Sequence, residues 1–131
     1  RGWGFAKAAE LNGYPGPAHV LELADTLQMT SLQRARVQTI FDEMNTKARA
    51  LGADLVAAEA ALDAAFRDHT VDAEKLSALV RDAGTIESAL RTVHLQAHLE
   101  TRPLMNKHQI MLYNRARGYG SGGHSGGHGH D

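Results

Sequence analysis

The chain has 131 residues, with fourteen Lys and Arg against fifteen Asp and Glu, a formal charge of −1, no Cys, and only one Trp, three Tyr and three Phe. That length suits one domain, the balanced charge offers no general attraction to nucleic acid or an acidic membrane surface, and the lack of Cys excludes disulfides and thiolate metal sites. No stretch reaches the ~20 apolar residues of a membrane span, and Ala and Leu fill most apolar positions, as suits closely packed helices rather than an aromatic-rich sandwich.

Residues 1–16 hold four Gly and one Pro with no apolar period and read as an extended N-terminal arm, in which Trp3 and Phe5 are available to cover an apolar seam or clasp a second subunit. A start at Arg1 without Met agrees with cleavage from a signal peptide or anchor, and equally with an arbitrary starting point. Pro17 suits the first turn of a helix, and Val20, Leu21, Leu23, Ala24 and Leu27 predict a short amphipathic helix over about 17–28. Thr30 followed by Gln33 then forms a capping-box pattern that starts a new helix.

From Val37 the apolar residues Ile40, Phe41, Met44, Ala48, Leu51, Leu55, Ala58, Leu62 and Phe66 alternate steps of three and four, a coiled-coil-like seam over about four heptads. Gly52 interrupts it, which suggests a close helix approach or a bend. The pattern stops at 67–70, where Thr70 or Asp72 can cap the next helix; so short a connection predicts antiparallel neighbours. A second seam runs through Leu76, Leu79, Val80, Ala83, Ile86, Leu90, Val93 and Ala97 until Pro103 kinks or ends it. The two seams facing each other account for most of the expected core. Asn106 and Gln109 repeat the capping box, and a last helix over about 107–117 stops at Gly118. The predicted fold is therefore all-α: an antiparallel hooked helical hairpin over 17–117, with two long and two short helices. Residues 118–131, with seven Gly and three His, read as a disordered tail.

Met29-Thr30-Ser31-Leu32-Gln33 and Met105-Asn106-Lys107-His108-Gln109 resemble the doubled LTxxQ signature of the bacterial periplasmic Spy/CpxP-like family, with Met for Leu in both pentads and Asn for Thr in the second. The similarity extends through RARVQTIFDEM, LVAAEAALDAAF and HLQAHLETRPLMNKHQIMLYNRARGYG, roughly residues 17–120. The resemblance implies a periplasmic, homodimeric α-hairpin, of the kind found among extracytoplasmic chaperones, zinc-responsive stress proteins and heavy-metal sensors that answer to a membrane-bound regulator.

Histidine placement points to metal chemistry. His94 and His98 lie four residues apart, so one helix face presents both imidazoles to a single ion. Antiparallel pairing sets them opposite Asp42, Glu43 and Met44, and the first hook can fold His19 and Glu22 over that end. The candidate shell is His94, His98, His19 and a carboxylate from Glu43 or Glu22. In metal sensors of the resembled family the hook gives histidines, the second helix a Glu and the third a His-x-x-x-Met pair; here His94 matches that His, His98 stands at the Met, and His19 matches one of two hook histidines. Nitrogen and oxygen donors suit Zn(II), Cu(II), Ni(II) or Co(II) without ranking them. His124, His128 and His130 in the Gly/Ser tail can wrap a second ion more loosely. His69 and His108 are expected in solvent, and the Met residues as core.

Two functions of different class follow. One is a transition-metal-binding protein of heavy-metal sensing, buffering or resistance. The other is an ATP-independent chaperone holding unfolded clients on a face that includes Arg34, Arg36, Lys47, Arg49, Arg91 and Arg102. No nucleophile elbow, phosphate loop or H-E-x-x-H pattern is present, so an enzyme is not expected.

Overall fold

The computed structural model describes residues 5–119. Five helices follow in chain order: α1 (Lys7–Glu10), α2 (Pro17–Glu22), α3 (Ser31–Arg67), α4 (Ala73–Thr101) and α5 (Lys107–Arg117), with a 3-10 turn over Arg102–Leu104 between the last two. Among the described residues there is no strand. The long helices α3 and α4 form the arms of a hairpin, and the short helices fold back over its open end. The chain is the all-α hooked hairpin that its two seams and two capping pentads predict.

Local chemistry fixes the boundaries. Thr30 Oγ1 accepts from the Gln33 N–H at 3.0 Å while Gln33 Oε1 accepts from the Thr30 N–H at 2.8 Å. Asn106 Oδ1 and Gln109 repeat that exchange at 2.8 and 3.0 Å. Each box satisfies two backbone donors, one in the first turn and one at the capping residue. At the tip, α3 closes with the Thr70 N–H on the Ala65 carbonyl at 2.9 Å and the His69 N–H on Phe66 at 3.2 Å, His69 taking the left-handed φ of 56°. Asp72, rather than Thr70, caps α4 by accepting from the Lys75 N–H at 2.8 Å. Pro103 falls just past the end of α4, and Gly118, at φ 84°, terminates α5.

The two pentads also meet. The amides of Gln33 and Gln109 exchange hydrogen bonds of 2.9 and 3.0 Å, and their remaining donors reach the carbonyls of Leu104 and Gln28. Around this pair lies the buried cluster of Val20, Ala24, Leu27, Met29, Val37, Met105 and Tyr113. The largest buried cluster therefore sits where the hooks cover the hairpin, and along the seams only scattered residues such as Ala83, Leu90 and Ala97 are fully buried. Two helices cover each other on one side only, so Ile40, Met44, Leu51, Leu55, Leu62 and Ile86 stay half-buried. Gly52 admits no close approach either: a Cβ there would meet nothing within 4 Å.

Three boundaries depart from expectation. The helix expected over 17–28 stops at Glu22, and hydrogen-bonded turns carry the chain to Gln28, whose φ of 57° reverses it into α3. The arm 1–16, expected to be extended, contains α1, because Glu10, Pro15 and Gly16 bury themselves against the hairpin. Of the tail expected to be disordered from 118, Tyr119 is held: its N–H bonds the Asn114 carbonyl at 2.7 Å and turns the chain back on α5. The rest of the tail, with His124, His128 and His130, and the arm residue Trp3 lie outside the described residues.

Candidate metal site

On α4, His94 and His98 point their Nδ1 atoms at the carbonyls one turn back, Leu90 at 2.9 Å and His94 at 2.8 Å. Those bonds orient both rings along the helix and leave Nε2 as the outward nitrogen. The two differ from there. The His94 ring is half-buried and stacks on Phe5, ring centroids 5.5 Å apart, and its Nε2 has no hydrogen-bond partner among the described residues. His98 is only 6% exposed, and its Nε2 lies 2.8 Å from Oε2 of Glu10. Both ring nitrogens of His98 are thus engaged, Nδ1 by the His94 carbonyl and Nε2 by the Glu10 carboxylate.

Glu10 is the hub of this end. Its Oε1 accepts from the hydroxyls of Tyr113 at 2.8 Å and Tyr119 at 3.0 Å, and its Oε2 accepts from His98. The Tyr113 hydroxyl in turn accepts from the Gly16 N–H at 3.3 Å. Burial would raise the Glu10 carboxyl, but hydrogen bonds from His98 and Tyr113, the charge of His98 and the Tyr119 hydroxyl together hold it below its ordinary value. Burial pushes the Tyr113 phenol upward, and the Glu10 charge adds to it, so Tyr113 stays a neutral donor. Gly16 passes directly over this group; a Cβ at that position would lie 2.5 Å from His98 Nε2 and 2.9 Å from Glu10 Oε2. A side chain there would have to displace the His98 ring or the Glu10 carboxylate.

The remaining candidates are spread out. His19 Nδ1 lies 3.1 Å from Glu22 Oε1 on the same short helix, in a pair open to solvent. Glu43 is exposed on α3, and His69 and His108 are exposed as expected. The structure thus brings His94 beside His98 and His19 beside Glu22, but among the described residues no three His, Cys, Asp or Glu side chains are grouped to hold a metal. The donor chemistry fits a divalent ion. The placement fits in part, with His94 Nε2 open and His98 Nε2 turned onto Glu10. Sequence reasoning missed Glu10, Gly16 and Tyr119; the one local signal was that Glu10 is the sole acidic residue of 1–16.

A scan against protein-family models matches residues 7–111 to a family described as heavy-metal resistance. The chain belongs to that heavy-metal resistance family. The match takes in α1, the first hook, both long helices and the first turn of α5, and with them Glu10, His19, His94 and His98. His124, His128 and His130 lie beyond it. No curated protein and no solved structure gives a significant match. Among the described residues, no helix is long and apolar enough to cross a membrane.

Proposed function

We propose that this protein binds a divalent transition metal, Zn(II), Cu(II), Ni(II) or Co(II), in the periplasm, and serves heavy-metal sensing, buffering or resistance as a homodimer without catalysing a reaction. The observation that carries this reading is the family match over residues 7–111, which contain two imidazoles at i, i+4 on one helix face. His94 and His98 would supply nitrogen donors, with His19, Glu22 and Glu43 as further candidates from the first hook and α3. His124, His128 and His130 would add a second, looser capture site. A bound ion would bring a charge to this end of the hairpin that a regulator could read. Half-buried seam residues on both long helices favour a second copy covering them.

Calorimetric titration of the full chain tests the reading, using chloride salts of each metal. Binding tighter than about 100 μM, near −5.5 kcal/mol, is expected. Replacing His94 and His98 with Ala should remove one component, and replacing His124, His128 and His130 with Ser the other. No binding of any of the four ions would sink the proposal.

A chaperone role is the second reading, favoured by exposed apolar side chains near the hairpin tip, Val56, Phe66 and Val80. Of its basic candidates, Arg34 is tied to Asp25 at 2.7 Å and Arg102 to the Gly13 carbonyl at 2.9 Å, which leaves Arg36, Lys47, Arg49 and Arg91 on the exposed surface. Suppression of client aggregation by metal-free protein, unchanged when His19, His94, His98 and His124 are replaced, would favour this role.

A further inference from the structure

Residues 5–16 contact both histidines of the α4 pair. Phe5 lies against the His94 ring, Glu10 holds His98 Nε2, and Gly16 closes over the His98 ring too tightly for a Cβ to fit. The segment is fastened at separate points along its length. The Glu10 carboxylate takes hydrogen bonds from α4, α5 and Tyr119; the Gly13 carbonyl accepts from Arg102 Nε at 2.9 Å; and the Arg102 guanidinium lies 4.7 Å above the Tyr14 ring. Its own secondary structure is a single four-residue turn of helix, too short to persist without these contacts. The segment is thus a strap, held down by side chains, over the two imidazoles that the family match makes candidates for metal.

We propose that this strap is an autoinhibitory latch: Glu10 is the internal ligand of His98, and strap closure and metal coordination by His94 and His98 exclude each other. The inference rests on the metal-binding reading above. His98 has no nitrogen to offer while Nδ1 faces the His94 carbonyl and Nε2 faces Glu10, so an ion gains the His94–His98 pair only when Glu10 lets go. Losing Glu10 also strips Tyr113 and Tyr119 of their acceptor, so release is concerted across the strap instead of confined to one side chain. By linkage, whatever factor the closed strap costs the metal, the bound metal costs the closed strap. Metal arrival at α4 is thereby converted into exposure of an N-terminal segment, a change large enough for a partner to read.

Hydrogen exchange and Zn(II) titration of the full chain test this in the wild type, Glu10→Gln and Gly16→Ala. Glu10→Gln removes the latching charge; Gly16→Ala forces the strap off His98 while leaving every donor in place, and carries the test if the first variant folds poorly. In metal-free protein, both variants should exchange amides of residues 6–16 about tenfold faster than wild type, with the α3–α4 tip unchanged. Both should bind Zn(II) about tenfold more tightly, and Zn(II) should speed strap exchange in the wild type. Zn(II) that slows strap exchange, or binds Glu10→Gln more weakly, would make Glu10 a metal ligand and overturn the latch. Equal affinity in all three proteins would overturn it while leaving the metal reading intact. Fast strap exchange in the variants with no Zn(II) binding by any protein would defeat the metal reading itself, and with it the competition, leaving Glu10 and His98 as a structural pair.

Discussion

The side-chain amides of Gln33 and Gln109, 76 residues apart, lie head to tail and exchange hydrogen bonds of 2.9 and 3.0 Å. Each amide meanwhile caps its own helix, so the carbonyl oxygens accept from Thr30 and Asn106 backbone and the remaining N–H groups reach the Leu104 and Gln28 carbonyls. The repeated pentad is therefore one brace in two halves, binding the start of α3 to the start of α5. Every polar atom of the two amides is satisfied, which makes removal of either side chain costly.

Gln33→Ala and Gln109→Ala should each destabilise the protein by about 2 kcal/mol, because each strands part of its partner in a part-buried setting. The double variant should cost less than the two together, by about 1 kcal/mol, since the second change removes a group already unpaired. Urea denaturation of the four proteins completes the cycle; strict additivity would mean that the two amides act only as independent caps.

Gly16→Ala should lower stability by about 2 kcal/mol, within the range for overfilling a packed interior. The backbone of Gly16 is ordinary, at φ −90°, so the cost comes from the 2.5 Å approach of the new methyl to His98 Nε2 and not from strain. His98→Ala makes room for that methyl. In its background Gly16→Ala should cost little, and a melting temperature that falls equally in both backgrounds would contradict the steric account.

Glu10 sets an acid limit. Its folded-state pKa lies below the ordinary 4.5, so the stability it contributes is present above pH 4.5 and lost as pH falls through the lower folded value. The melting-temperature gap between wild type and Glu10→Gln should accordingly be widest above pH 4.5 and narrow toward pH 3. Tyr113 runs the other way. With its pKa raised above 10.0, its contribution is complete below pH 10 and fades at higher pH, so the gap between wild type and Tyr113→Phe should narrow there.

What the sequence made legible was short-range. Thr30 with Gln33, Asn106 with Gln109, and Gly118 are signals read within a few residues, and α3 and α5 start or stop where they say. The i, i+4 spacing likewise placed His94 and His98 on one helix face. The occupant of His98 was beyond reach because Glu10 is 88 residues away, in a segment with no apolar period to suggest that it docks. Gly16 reads as a loop residue until the histidine beneath it is known. The seams misled for a related reason: a period reports which face of a helix is apolar, not how much of it another element covers.

That difference between face and coverage yields the last prediction. Val37 and Val80 are the same residue type, both at seam positions of long helices, yet Val37 is 0% exposed under the hooks and Val80 is 52% exposed toward the tip. Val37→Ala should cost about 2 kcal/mol, because it removes two methyl groups from a packed cluster that cannot collapse around the gap. Val80→Ala should change stability by less than about 0.5 kcal/mol, as for other surface sites in a monomer. If a second copy covers the seams, the Val80 variant should show its cost only at protein concentrations where the dimer forms. Chemical denaturation across a hundredfold range of concentration separates the two cases. A concentration-independent loss of 2 kcal/mol at Val80 would mean that the tip is far better packed than its exposed side chains indicate.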